Sequence, residues 1–279
     1  MHKHKDVGPM GKDHVKEYYN QPSDDMPSGH FHKVISLNDI SYLQWEDIAA
    51  QCPSMPKGWY ELSRLSKEDR VQFSCDYWMA TLPYHPDLLE SVTGFFSSIV
   101  DIRVYITQKL YDDPFAAQLV YILEGDRGFF KGCPPVAERS LDNLKKEFQD
   151  FAFPSDYIAF LHIHNGFAKS TDTGIILVEA MRETYQKFQD LLGNVAPLVT
   201  SKGTVIDPKT LLPFYESFGL PCFQCFWSEW YPDQEMGNLY YSDITKSISN
   251  CYCEQTLPEE SMAFPTFSDW LMFYLEKIE

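Results

Sequence analysis

Phe153-Pro154-Ser155-Asp156-Tyr157-Ile158-Ala159-Phe160-Leu161-His162-Ile163-His164-Asn165-Gly166 is the stretch on which the fold assignment turns. Proline suits the first turn of a helix, where its missing N–H would have gone unpaired, and Asp156 sits well near the positive end of the helix dipole. Tyr157, Ile158, Phe160 and Leu161 continue that helix. Asn165-Gly166 closes it, because both residues accept the left-handed conformation. Just upstream, Leu141, Leu144, Phe148 and Phe151 recur at spacings of three and four. That period puts one apolar face inward while Lys145, Lys146 and Glu147 face water.

Downstream of Gly174, residues 175–178 (Ile-Ile-Leu-Val) read as a short buried strand, and residues 181–192 as a helix with Tyr185, Phe188 and Leu192 inward. Three aromatic-rich strands follow at 195–200, 222–227 and 239–242, which implies a sheet. Thr266 caps a closing helix with Asp269 three residues on, a near relative of the capping box. Phe267, Trp270, Leu271, Tyr274 and Ile278 form its inward face.

The order of these motifs resembles the SMI1/KNR4 (SUKH) superfamily. Its signature places a Leu-Pro-x-x-Tyr-x-x-Phe-Leu-like segment before Asn-Gly-Gly, and here Pro154, Tyr157, Phe160, Leu161, Asn165 and Gly166 occupy those positions. Phe153 stands where the family has Leu, and Phe167 where it has the second Gly. Gly237-Asn238-Leu239-Tyr240 resembles the family's glycine-led strand, and residues 263–271 its terminal helix. The resemblance covers about residues 136–279. It implies an α+β fold, a mostly antiparallel sheet with helices packed on one side. It also implies a protein that binds other proteins without catalysing: bacterial members are immunity proteins that neutralise toxins, many of them nucleases, and fungal relatives are linked to cell-wall glucan synthesis. The matched residues have structural roles, in core filling and helix termination.

Residues 34–135 carry no such resemblance and read as a helical region followed by a β-hairpin. Ile40, Tyr42, Leu43, Trp45 and Ile48 suggest a short helical face, ended by a loop around Pro53 and Pro56. Ser66, followed by Lys67-Glu68-Asp69, reads as the N-cap of a helix running to Leu82-Pro83, and Pro86-Asp87 opens another that carries Leu88, Val92, Phe95 and Phe96. Ile102, Val104 and Ile106 alternate with Arg103 and Tyr105, and residues 118–123 are β-rich, so the two stretches pair as a hairpin. The glycines and prolines of 125–135 mark a boundary before residue 136. Residues 1–33 hold five of the eight histidines and few aliphatics, the composition of a mobile leader. His2, His4, His30 and His32 read there as solvated side chains, and no metal is expected of them.

The chain has 279 residues, 44% of them hydrophobic, enough to bury a full core. Its 23 basic and 40 acidic residues give a formal charge of -17, which repels polyphosphate and argues against nucleic acid as a partner. No apolar run is long enough for a membrane span or a signal peptide, so a cytoplasmic protein is expected. The seven cysteines favour reduced thiols over a disulfide framework.

No catalytic set is legible: there is no Gly-x-Ser-x-Gly elbow and no P-loop, and Glu229, Asp233, His162 and Cys225 are only loose candidates for an enzyme. Cys222, Cys225, Cys251 and Cys253 are the zinc alternative. Residues 222–227 read as a strand, however, on which positions three apart face opposite sides. His162 and His164 diverge near a helix end in the same way. The expectation is therefore no cofactor, no metal and a protein partner. Trp227, Glu229, Trp230, Tyr231, Asp233 and Glu235 join large aromatics to acids, a mixture that, if exposed, suits a basic partner such as a basic toxin; the alternative is that the tryptophans are core and the acids solvated.

Overall fold

The computed structural model describes residues 15, 18–19, 31–125, 127–193, 197–200, 203–248 and 262–276. It is an α+β fold in which every paired strand runs antiparallel to its neighbour. One five-stranded sheet has the order β1-β2-β3-β4-β5: β1 is Lys33–Ser36, β2 Ile99–Gln108, β3 Ala116–Leu123, β4 Phe129–Gly132 and β5 Phe167–Lys169. A second has the order β12-β11-β10-β9-β6: β6 is Gly174–Ile175, β9 Leu211–Glu216, β10 Cys222–Trp227, β11 Asn238–Ser242 and β12 Ser247–Ile248. Strands β7 (Leu198–Val199) and β8 (Val205–Ile206) form a separate pair.

The expected hairpin is β2–β3, with Val104 opposite Leu119. Alternation sends Ile102, Val104 and Ile106 to the face covered by helices α3 (Lys67–Thr81) and α4 (Pro86–Ser97). Helix α3 starts where its cap indicates, the Ser66 hydroxyl oxygen accepting from the Asp69 N–H at 3.1 Å. Arg70, buried on α3, reaches the buried Asp101 of β2 at 2.5 Å and ties the helix to the sheet.

The second sheet is covered on both faces because β10 is buried along its whole length. Phe223, Cys225 and Trp227 pack with Phe188 and Leu192 of α7 (Met181–Leu192). Phe226 faces the opposite side, with its ring 5.0 Å from Tyr157 of α6 (Ser155–Leu161). Phe214 of β9 lies on that side too, 4.9 Å from Trp270 of α8 (Phe267–Glu276). Helix α8 carries the expected cap: Thr266 Oγ1 accepts from the Asp269 N–H, and Asp269 accepts from the Thr266 N–H. Asp156 adds a bond from α6, its carboxylate accepting from the Ser268 N–H at 2.7 Å.

Several expectations are corrected. The glycines and prolines of 125–135 flank β4, which pairs with β3 on one side and with β5, from beyond the expected boundary, on the other. The core crosses the same point: Trp78 sits 5.6 to 5.9 Å, centroid to centroid, from Phe96, Tyr121, Phe160 and Phe167. Helix α1 is confined to Trp45–Gln51 with only Ile48 buried, and Tyr42 lies exposed ahead of it. Pro56 opens helix α2 (Lys57–Leu62) where a loop was expected. Within the stretch expected as a mobile leader, Val15, Tyr18 and Tyr19 are buried against Tyr105, Val120 and Phe129 on the outer face of the first sheet. Helix α5 (Glu138–Glu147) keeps its apolar face, with Leu141 and Leu144 buried. Helix α6 ends at Leu161, and Gly166, with φ +100°, turns the chain into β5 instead of closing the helix.

Candidate functional site

An apolar cleft lies between α2, α3, β3 and the turn that follows α6. Pro56, Trp59 and Leu62 of the α2 region form one wall, Phe73 and Tyr77 of α3 a second, and Pro135 and Ile163 a third; Leu119, Tyr121 and His164 lie at its floor. Its volume is about 200 Å³ and its lining is overwhelmingly apolar. Phe73 and Tyr77 sit four residues apart on α3, so helical geometry places both at the rim, where they are 57% and 44% exposed. The Tyr77 hydroxyl donates to the His162 carbonyl oxygen at 3.1 Å, fixing α3 to the end of α6.

Beneath the rim runs a closed chain of hydrogen bonds. His164 Nδ1 is 2.8 Å from the Cys133 carbonyl oxygen, which can only accept, so Nδ1 carries the proton. Nε2 is then an acceptor and takes the Tyr121 hydroxyl proton at 2.7 Å, while the Trp78 indole N–H donates to the Tyr121 oxygen at 3.1 Å. Burial pushes the His164 imidazole down to about 4, against the opposing bond to Cys133, so the ring is neutral near pH 7. Both ring nitrogens are occupied, which leaves no lone pair for a general base. Phe167 stacks on the ring 5.5 Å away, and Gly132 lies against the ring as well.

Carboxylates border the cleft on two sides, while on the α2 side Lys57 is paired with Glu61 at 3.7 Å. Asp69, Phe73, Asp76 and Tyr77 fall at i, i+4, i+7 and i+8 on α3, so two exposed carboxylates flank the two exposed rings. Glu138 stands on the far side, its carboxylate 4.0 Å from His162 Nδ1.

The aromatic and acidic loop read as a partner surface is divided by the fold. Trp227 is buried in the core of the second sheet; Trp230 is half-buried against it, its ring so close to Gly237 that a β-carbon there would lie 2.3 Å away. Glu235 is turned inward and caps α6, accepting from the Ser155 hydroxyl at 2.6 Å and from its N–H at 3.3 Å. Only Glu229, Tyr231 and Asp233 are exposed.

Cys222 and Cys225 lie on opposite faces of β10, and burial raises the Cys225 thiol well above its ordinary value. Cys251 and Cys253 fall outside the described residues, as does Ile278. Among the described residues no cluster of three or more histidine, cysteine or acidic side chains is arranged to hold a metal ion. No bond joins any two of Glu229, Asp233, His162 and Cys225 among the described residues: Cys225 is sealed in the core while His162 stands beside Glu138. Pro154 is the N-cap of α6, Tyr157, Phe160 and Leu161 are fully buried, and the Asn165 side chain accepts from the Val178 N–H and donates to Glu179.

The cleft was missed by sequence reasoning because its walls come from stretches more than a hundred residues apart. Its one local signal was the pair Phe73 and Tyr77, four residues apart on α3. No protein-family model and no curated protein matches the chain. Among the described residues no helix is long and apolar enough to cross a membrane.

Proposed function

We propose that the chain is a non-catalytic protein-binding module of the SMI1/KNR4 kind that engages a basic protein in the cytoplasm, and that its role is to neutralise such a protein as an immunity protein does. The observation that carries this reading is the closed network under the cleft. Trp78, Tyr121 and His164 spend their polar atoms on one another and on Cys133, so what the cleft offers a visitor is apolar surface and not a reactive group. A site of this composition gains free energy by burying a partner. The formal charge of -17 supports a basic partner, because opposite charge speeds encounter and like charge excludes competitors.

The test is affinity capture with the full chain, in low salt and again in high salt. Recovery of one basic protein whose retention falls steeply with ionic strength is the expected result. Failure to retain any protein at low salt, or turnover of a small substrate that follows the chain through purification, overturns the reading.

A further inference from the structure

A basic protein could be grasped through many kinds of segment, and the size, polarity and charge of the cleft narrow the choice. We propose, on the footing that the chain is a binding module, that the cleft between α2 and α3 seats a single apolar side chain, of leucine to phenylalanine size, presented by a segment whose neighbouring residues are lysine or arginine.

Size sets the first limit. Cofactor and drug-like sites occupy roughly 300–1,000 Å³. The cleft holds about 200 Å³, little more than the roughly 150 Å³ in which a single benzene ring is accommodated. One side chain fills it. Polarity sets the second limit. Ser74 is buried at the lining and the Tyr121–His164 pair is internally satisfied, so a polar group inserted there would lose its water with little in return. The occupant is apolar at its tip.

Charge selects what surrounds the tip. Asp69 and Asp76 flank Phe73 and Tyr77 on α3, and Glu138 stands beside His162 across the rim. Basic residues on either side of the anchor meet these carboxylates. A second copy of this chain is a poor occupant, since it brings a further charge of -17. Aromatic and aliphatic anchors inside a charged rim are the usual form of an energetic hot spot, and Phe73 and Tyr77 supply the walls.

The experiment uses a synthetic nine-residue peptide with one central phenylalanine among lysines and arginines, titrated into the full chain and followed by tryptophan fluorescence, since Trp59 lines the cleft, and by calorimetry. Two control peptides replace the phenylalanine with glycine or every basic residue with glutamate. Phe73→Ser and Asp76→Lys are the test variants; both positions are exposed, and unchanged melting temperatures establish that the variants fold. Saturable binding of the first peptide is expected, weakened about tenfold or more in each control and each variant. Equal binding of the glycine peptide, equal binding by Phe73→Ser, or no binding of the basic phenylalanine peptide overturns the proposal. A natural partner captured equally well by wild type and Phe73→Ser also overturns it while leaving the binding-module reading intact; capture of no partner at all removes that reading instead.

Discussion

A β-carbon placed on Gly132 would lie 2.3 Å from Nδ1 of His164, closer than two such atoms can approach. Glycine at this point of β4 is what allows the imidazole to lie flat against the strand and reach the Cys133 carbonyl oxygen. Gly132→Ala is expected to destabilise the protein by about 1–3 kcal/mol through overpacking, read as a lowered urea midpoint. A midpoint equal to wild type would mean that the ring moves freely.

His164 makes stability depend on acid. Its folded value of about 4 lies below the ordinary 6.5, so the folded chain holds this proton more weakly than the unfolded chain. The contribution is complete above pH 6.5 and is lost as pH falls toward 4, about 3 kcal/mol in all. His164→Gln is expected to be less stable at pH 7, with the gap to wild type shrinking between pH 7 and pH 4.5. The Asp156 carboxyl, pushed up by burial, works in the opposite direction but is common to both proteins. Urea titrations across that range check the difference.

Three acids of one loop should behave differently. Glu235→Ala removes the acceptor that caps α6 and is expected to cost about 0.5–2 kcal/mol. Glu229→Ala and Asp233→Ala, exposed and free of such a cap, are expected to change stability by less than about 0.5 kcal/mol. Thermal melts of the three variants distinguish them.

Buried Asp172 joins the second sheet to the last helix. One carboxylate oxygen accepts from the hydroxyls of Tyr215 at 2.6 Å and Tyr274 at 3.1 Å, and the other from the N–H groups of Thr173 and Phe218. Tyr215→Phe and Tyr274→Phe are each expected to cost about 1–3 kcal/mol. The double variant should exceed their sum by about 1 kcal/mol, because it leaves that oxygen with neither hydroxyl partner. Strict additivity in a double-mutant cycle would refute the shared-acceptor account.

What the sequence disclosed was local chemistry. The caps at Ser66 and Thr266 and the alternation of residues 102–106 located α3, α8 and β2, since each signal lies within a few residues of the structure it specifies. Strand β9 was hidden by Pro213, which removes a ladder donor and argues against a strand. The sheet accommodates it opposite Cys225, beside a register shift at which β9 carries the extra residue Phe214. Strand β4 was hidden by its four-residue length, and only its partners in β3 and β5 define it. His164 reads in the sequence only beside His162, as a metal pair, because its partner Tyr121 lies 43 residues earlier. The tryptophans of 227–235 were legible as core residues as well as partner contacts, and α7 and Gly237 decide for the core.

The pairing of β4 with β5 has a practical corollary for anyone dissecting the gene. A product ending near residue 135 would expose the rim of β4, with its amides and carbonyls seeking any extended chain, and would strip α8 from α4. Such a fragment is expected to precipitate on its own and to regain solubility when the missing portion is co-expressed in the same cell.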